Sequence, residues 1–166
     1  MALRAMVVGV GMVGEQIISI LRERSFPIEW PPIVCATRER TEMLAGEKFY
    51  VKKTDESCFQ DRDIVFFAGK EGARGASSQW GEIAEEAGAV CIDNGSDFRL
   101  DPAIPLIVTE VNPEAVTSKS RFIASPNCST IQLVMVLHPL HKAARIRRVV
   151  VSTYQSVSGW GLRAYE

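Results

Sequence analysis

The chain has 166 residues, 46% of them hydrophobic, and a formal net charge of −1. That is enough to bury one ordinary core, and a second complete domain would be a squeeze. The near-neutral balance offers no basic field for nucleic acid or an acidic membrane, and no apolar run reaches the roughly eighteen residues of a membrane span.

Arg4 followed by Ala5 to Gly14 imitates the charged start and apolar centre of a signal peptide. The stretch lacks a small-residue cleavage site and runs into an amphipathic segment, so the protein is read as cytoplasmic. Leu3 to Val8 predicts a strand, and Gly9, Val10, Gly11, Met12, Val13 and Gly14 form a glycine turn. Ile17, Ile18 and Leu21 then recur at helical spacing. Glycines so placed let the backbone approach a pyrophosphate, whose charge the amides of the helix N-terminus hold. A tight turn that binds nothing is the plainer alternative.

Ile33 to Ala36 predicts the second strand, with Thr37, Arg38, Glu39 and Arg40 after it. An acidic residue in this region accepts the ribose hydroxyls of NAD, whereas a basic one suits a 2′-phosphate. Thr37 and Arg38 therefore favour NADP, and Glu39 leaves NAD open. Thr54 to Asp63 reads as a polar connection, Ile64 to Gly69 as a buried strand ending in small residues, and Gly69 to Ser78 as a loop at the carboxyl edge of the sheet. Trp80 to Ala87 predicts a short helix and Ala89 to Ile92 another strand, leading into Asp93, Asn94, Gly95, Ser96, Asp97, Phe98 and Arg99. The guanidinium of Arg99 is a candidate anion binder, with a surface ion pair as the alternative. Ile104 to Val108 and Arg121 to Ala124 are further strand candidates, separated by Asn112, Pro113 and a brief helical turn. This alternation predicts an α/β fold built on a Rossmann-type doubly wound parallel sheet.

Ser125, Pro126, Asn127, Cys128, Ser129 and Thr130 form the chemical centre of the sequence. Pro126 disfavours helical geometry for Ser125, Asn127 can cap, and Thr130 to Leu140 is apolar on nearly every face, which predicts a buried helix with Cys128 at its start. The positive end of a helix favours a thiolate, the form of cysteine that attacks carbonyl carbon. A small buried residue is the plain reading of any cysteine, and it holds for Cys35 and Cys91 in their strand-like runs. Cys58 lies in a polar connection and receives no role. With no CxxC pair and no histidine at ligand spacing, no metal is expected. His138 and His141 lie at least two turns beyond Cys128 and read as packing or surface residues. Lys142 to Arg148 reads as a solvated turn, and Arg147 to Tyr154 as a β-branched strand before Gln155 to Gly161.

In this order GMVGE, IDNGSDFRLD, PLIVTEVNPEA, SPNCSTIQLV and RVVVSTYQSVSGWG resemble the amino-terminal half of aspartate-semialdehyde dehydrogenase, across nearly the whole chain. The resemblance implies reduction of aspartyl phosphate to aspartate semialdehyde with NADPH, on the route to lysine, threonine, methionine and diaminopimelate. It also implies Cys128 as the nucleophile that displaces phosphate and forms an acyl-thioester. Asn127 and Arg99 resemble the phosphate-binding pair, and Gln155 the residue that orients substrate. Gly9 to Gly14, Thr37 and Arg38 resemble the NADP contacts, with Ser158 and Gly159 on the nicotinamide side. Residues 1–127 are then a cofactor-binding domain, and 128–166 the start of an α+β catalytic and dimerisation domain, with a homodimer when full length. Family members are longer, so the chain reads as an incomplete form, inactive alone, with no histidine assignable as general acid or base. Two alternatives stand beside this reading. One is an N-acetyl-glutamyl-phosphate reductase-like enzyme; the other is a non-catalytic cofactor-binding relic, suggested by Trp160 beside the nicotinamide positions and by the unassigned histidine.

Overall fold

A computed structural model describes residues 1–69 and 75–155. Short apolar runs punctuated by turns build the strands β1 (Ala5–Val8), β2 (Ile33–Ala36), β3 (Arg40–Leu44), β4 (Glu47–Lys53), β5 (Ile64–Phe67), β6 (Val90–Asp93) and β7 (Phe122–Ala124). The helices are α1 (Met12–Glu23), α2 (Ala76–Glu86) and α3 (Cys128–Ala144). The strands form one sheet in the order β3-β4-β2-β1-β5-β6-β7. Every neighbouring pair is parallel except β3 with β4. From β1 the chain winds outward through β2, then returns to the other side of β1 at β5. The strand order therefore reverses between β1 and β5, and the crevice beyond their carboxyl ends is where open sheets of this class take ligands.

Period-two alternation sends side chains to opposite faces, which makes two cores from the same strands. Ala5, Val7, Val34, Ile64 and Phe66 pack with Ile18 and Leu21 of α1 on one face. Met6, Val8, Cys35, Val65, Phe67 and Cys91 pack with Ala84 of α2 and with Phe59 on the other. Phe59 stacks on Phe67 and Trp80 at 6.4 and 5.8 Å between centroids, and Phe122 takes Phe67 and Phe98 at 6.2 and 4.6 Å. This aromatic row fastens the loop carrying Phe98 and Arg99 to the last strand.

The predicted strand at Ile33 falls on β2, and those at Leu3, Ile64, Ala89 and Arg121 differ from β1, β5, β6 and β7 by one or two residues. Other expectations are corrected. Ala76 to Ser78 are the first turn of α2, not loop. Ile104 to Val108 is not a strand but a single bridge from Leu106 to Ala124, because Pro105 has no amide to extend a ladder. Arg147 to Tyr154 forms no strand. No neighbouring strand lies alongside it among the described residues, and Val150 is 81% exposed; branched side chains do not make a strand without a partner. Helix α3 begins at Cys128 as expected, yet it has no buried residue, and Met135, Val136 and Leu140 are exposed. Its apolar surface meets no second layer among the described residues.

The β3–β4 hairpin was absent from the sequence reading. Its two-residue tip, Ala45 and Gly46, has φ of 50° and 80°, the left-handed pair that hairpins require. It rests on α1, where Arg22 Nη1 pairs with Glu47 Oε1 at 2.6 Å and Glu15 Oε1 accepts the Ala45 amide at 3.0 Å.

Candidate active site

The glycine turn stands at the switch point. Gly9 has φ 105°, donates to the Cys35 carbonyl at 2.8 Å, and would put a Cβ 2.6 Å from the Ala68 backbone at the end of β5. A Cβ on Gly14 would fall 1.9 Å from the Gly9 oxygen. Those two glycines are demanded by the fold itself. Gly11 differs, since a Cβ there would meet nothing within 4 Å. It is the N-cap of α1 without any side-chain cap, so the first-turn amides are left for another acceptor. Val10 is half-buried against the α1 core, while Met12 and Val13 are exposed at the helix start. A glycine that no described neighbour requires, ahead of uncapped amides, fits a close-lying pyrophosphate.

Thr37 and Arg38 lie exposed beyond the carboxyl end of β2. Thr54 shapes this corner, because its amide and hydroxyl both donate to the Ala36 carbonyl, at 2.9 and 3.1 Å. The two nearby arginines differ. Arg40 is held by Glu42 at 2.8 Å and donates to the Arg38 carbonyl, whereas the Arg38 guanidinium forms no ion pair among the described residues. Of these two arginines, Arg38 is the one left to meet an anion.

On the other side of the crevice, Asn127 caps α3. Its Oδ1 accepts the Ser129 amide at 3.0 Å and the Ser129 hydroxyl at 2.6 Å, which leaves its amide nitrogen to donate elsewhere. Cys128 follows and is exposed. Gln155, whose amide nitrogen lies 3.9 Å from the Cys128 sulfur, is brought there from 27 residues away. Arg99 donates from Nε to the Ser125 carbonyl at 2.9 Å and from Nη2 to the Asn94 carbonyl at 3.2 Å. Its remaining N–H groups are carried close to the peptide that leads into Asn127. The structure therefore gathers Arg99, Asn127, Cys128 and Gln155 at one place. Ser158, Gly159 and Trp160 lie outside the described residues.

The other thiols contrast with Cys128. Cys35 and Cys91 are wholly buried, and burial pushes both upward, Cys91 to about 12. A buried neutral thiol is inert. Cys58 is half-buried beside the Lys53 carbonyl and Asp55. His138 and His141 line an apolar groove with Val111, Val134 and Leu137, and His138 stands about 15 Å along the helix from Cys128. Asp93 was overlooked as a candidate. Its only signal is an acid closing an otherwise apolar strand.

The family model described as semialdehyde dehydrogenase, NAD binding domain, matches residues 4–119. The chain belongs to this family. Within it, the semialdehyde dehydrogenase of Prochlorococcus marinus, named aspartate-semialdehyde dehydrogenase, is 44% identical over 157 residues, covering 93% of this chain and 45% of its own length. The crystal structure of aspartate semialdehyde dehydrogenase II from Vibrio cholerae superposes with a TM-score of 0.85 at 39% identity, covering 99% of this chain and 50% of that one. The same protein has been solved in complex with ASA. A Candida albicans aspartate semialdehyde dehydrogenase solved with NADP gives a TM-score of 0.58 at 25% identity, covering 87% of this chain and 48% of that one. The resemblance drawn from the motifs is thereby borne out, as is the doubly wound sheet. The chain spans about half the length of the relatives it matches.

Proposed function

We propose that this semialdehyde dehydrogenase chain carries the cofactor site and the nucleophile of an enzyme that reduces L-aspartyl 4-phosphate to L-aspartate 4-semialdehyde with NADPH. The observation that carries the reading is the gathering of exposed Cys128, its cap Asn127, Arg99 and Gln155 at the carboxyl edge of the sheet that holds the glycine turn. Cys128 sulfur attacks the acyl carbon, the bond from that carbon to the phosphate oxygen breaks, and phosphate leaves with the electron pair. Arg99 and the Asn127 amide receive its charge. The thioester left on Cys128 is turned by the Gln155 amide toward the nicotinamide side. The bound nicotinamide supplies the hydride, and splitting one hard reduction into two easier steps is the advantage of the sulfur. When the carbon–sulfur bond breaks, the aldehyde leaves and Cys128 returns as thiolate.

Arg38 is the proposed holder of the 2′-phosphate that distinguishes NADP from NAD. The division of the chain falls between residues 127 and 128, because α3 carries no buried residue and its exposed apolar side chains suit a second domain rather than the sheet. The homodimer of the full-length protein is part of the same proposal.

The test is reduction of NADP by aspartate semialdehyde in the complete gene product, which should require inorganic phosphate. Cys128→Ser should lower kcat at least about a thousandfold, since the hydroxyl is a far weaker nucleophile. Arg38→Ala should raise KM for NADP about tenfold and leave NAD unaffected. Turnover of N-acetylglutamate semialdehyde in place of the aspartate compound would move the assignment to that reductase. A Cys128 thiol of ordinary reactivity toward iodoacetamide, untouched by phosphate, would favour a non-catalytic relic.

A further inference from the structure

Asp93 closes β6 after Val90, Cys91 and Ile92, and it is 1% exposed. Its Oδ1 accepts the Gly95 amide at 2.8 Å, which bends the chain at 93–95. Its Oδ2 is buried with no hydrogen-bond partner among the described residues. Burial pushes this carboxyl upward, against the pull of the Gly95 amide and of the nearby Ser77 hydroxyl. Ser77, the neighbouring hydroxyl, donates to Asp97 at 3.3 Å. An acid in such a place has no packing reason to be there, and a buried polar atom left unpaired is costly.

What the residue does is visible in the bonds around it. The Asp93 carbonyl accepts the Ser125 amide at 2.8 Å, and the Asn94 amide donates to the Phe67 carbonyl at 3.0 Å. Asn94 and Ser125 then each present a carbonyl to one guanidinium, that of Arg99. The ring runs from Asp93 to Ser125, to Arg99, to Asn94 and back. With the Asn94 amide held on the Phe67 carbonyl, the side-chain bond from Asp93 to the Gly95 amide fixes the other end of the turn from which the Asn94 carbonyl projects.

We propose that Asp93 is a positioning residue for anion binding. By fixing the 93–95 turn it aims the Asn94 carbonyl, and through it the Arg99 guanidinium, at the peptide entering Asn127 and Cys128. This rests on the reading of the site as a phosphate-releasing acyl-transfer centre.

The test uses the complete gene product with inorganic phosphate as the varied substrate. Asp93→Asn keeps an acceptor for Gly95 and the size of the side chain, so its KM for phosphate should stay within about twofold of wild type. Asp93→Ala should raise that KM about tenfold, with kcat within about threefold and KM for NADP unchanged. In an Arg99→Ala background, Asp93→Ala should add nothing further, because both act through one contact. Asp93→Ser, whose shorter hydroxyl reaches Gly95 less well, should give a rise of about threefold or more, and it replaces Asp93→Ala if that variant does not fold. A folded Ala or Ser variant with the wild-type phosphate KM overturns the proposal, as does full additivity with Arg99→Ala. A wild-type enzyme without phosphate-dependent turnover would overturn the parent reading and this one with it. An active wild type with unaffected variants overturns this one alone.

Discussion

A methyl group added at Gly14 would lie 1.9 Å from the Gly9 oxygen, whereas one added at Gly11 would touch nothing within 4 Å. Gly14→Ala should therefore cost about 3 kcal/mol of stability through overpacking against backbone, read from the urea midpoint. Gly11→Ala should change stability by no more than about 1 kcal/mol. It should nonetheless weaken NADP binding at least about tenfold by titration, because the added carbon stands where the pyrophosphate comes close. Equal loss of stability in both variants would show that Gly11 serves the fold alone. At this scale the sequence was readable where a residue type has one main use, as with glycines between strand and helix or a cysteine behind Pro126 and Asn127. It was not readable where the use depends on a neighbour. Arg38 and Arg40 look alike in the chain, and only the ion pair of Arg40 with Glu42 across one strand separates them. Asp93 likewise declares itself only through its burial.

Among the elements, β1 and β5 are joined at their starts by a charged clasp. Arg4 donates to Asp63 Oδ2 from its backbone amide at 2.7 Å and from Nε at 3.1 Å, and to Oδ1 from Nη2 at 2.9 Å. The guanidinium, helped by that amide, lowers the Asp63 carboxyl from its ordinary 3.8 to about 2. A lowered carboxylate stabilises the fold fully above the unfolded value and loses that contribution as pH falls through the folded one. The clasp should thus be complete above pH 3.8 and fade toward pH 2. Asp63→Asn should flatten this part of the acid limb when urea midpoints are plotted against pH, and an unchanged slope would contradict the assignment. Elements were readable where apolar runs are short and bounded, as in β2 and β5. The hairpin was missed because Arg40 and Glu42 interrupt the apolar face that Leu44, Phe49 and Val51 bury, and its tip carries Ala45 where asparagine or glycine is the usual signal. Residues 147–154 misled for the opposite reason, a strand-like composition with no strand beside it.

For the whole molecule, two cores share one sheet, and a third apolar surface on α3 has no covering layer among the described residues. The 166-residue chain alone should associate through it. On a sizing column its apparent mass should rise with concentration, and Val136→Glu with Leu140→Glu should reduce that rise; a monodisperse monomer would contradict the expectation. The buried helix expected from composition was half right. An all-round apolar helix does need covering, but composition does not say which part of a protein covers it.

Between the parallel strands β2 and β4 the chain passes through β3, where a crossover helix is usual in such sheets, and the β3–β4 hairpin leaves Met43 and Tyr50 facing solvent. The tip at residues 45–46 is tied to Glu15 and Arg22 of α1, so a change of length there would pull on the helix that opens behind the glycine turn. A loop altered at this margin of the sheet would disturb that turn before it reached the cysteine at the opposite one.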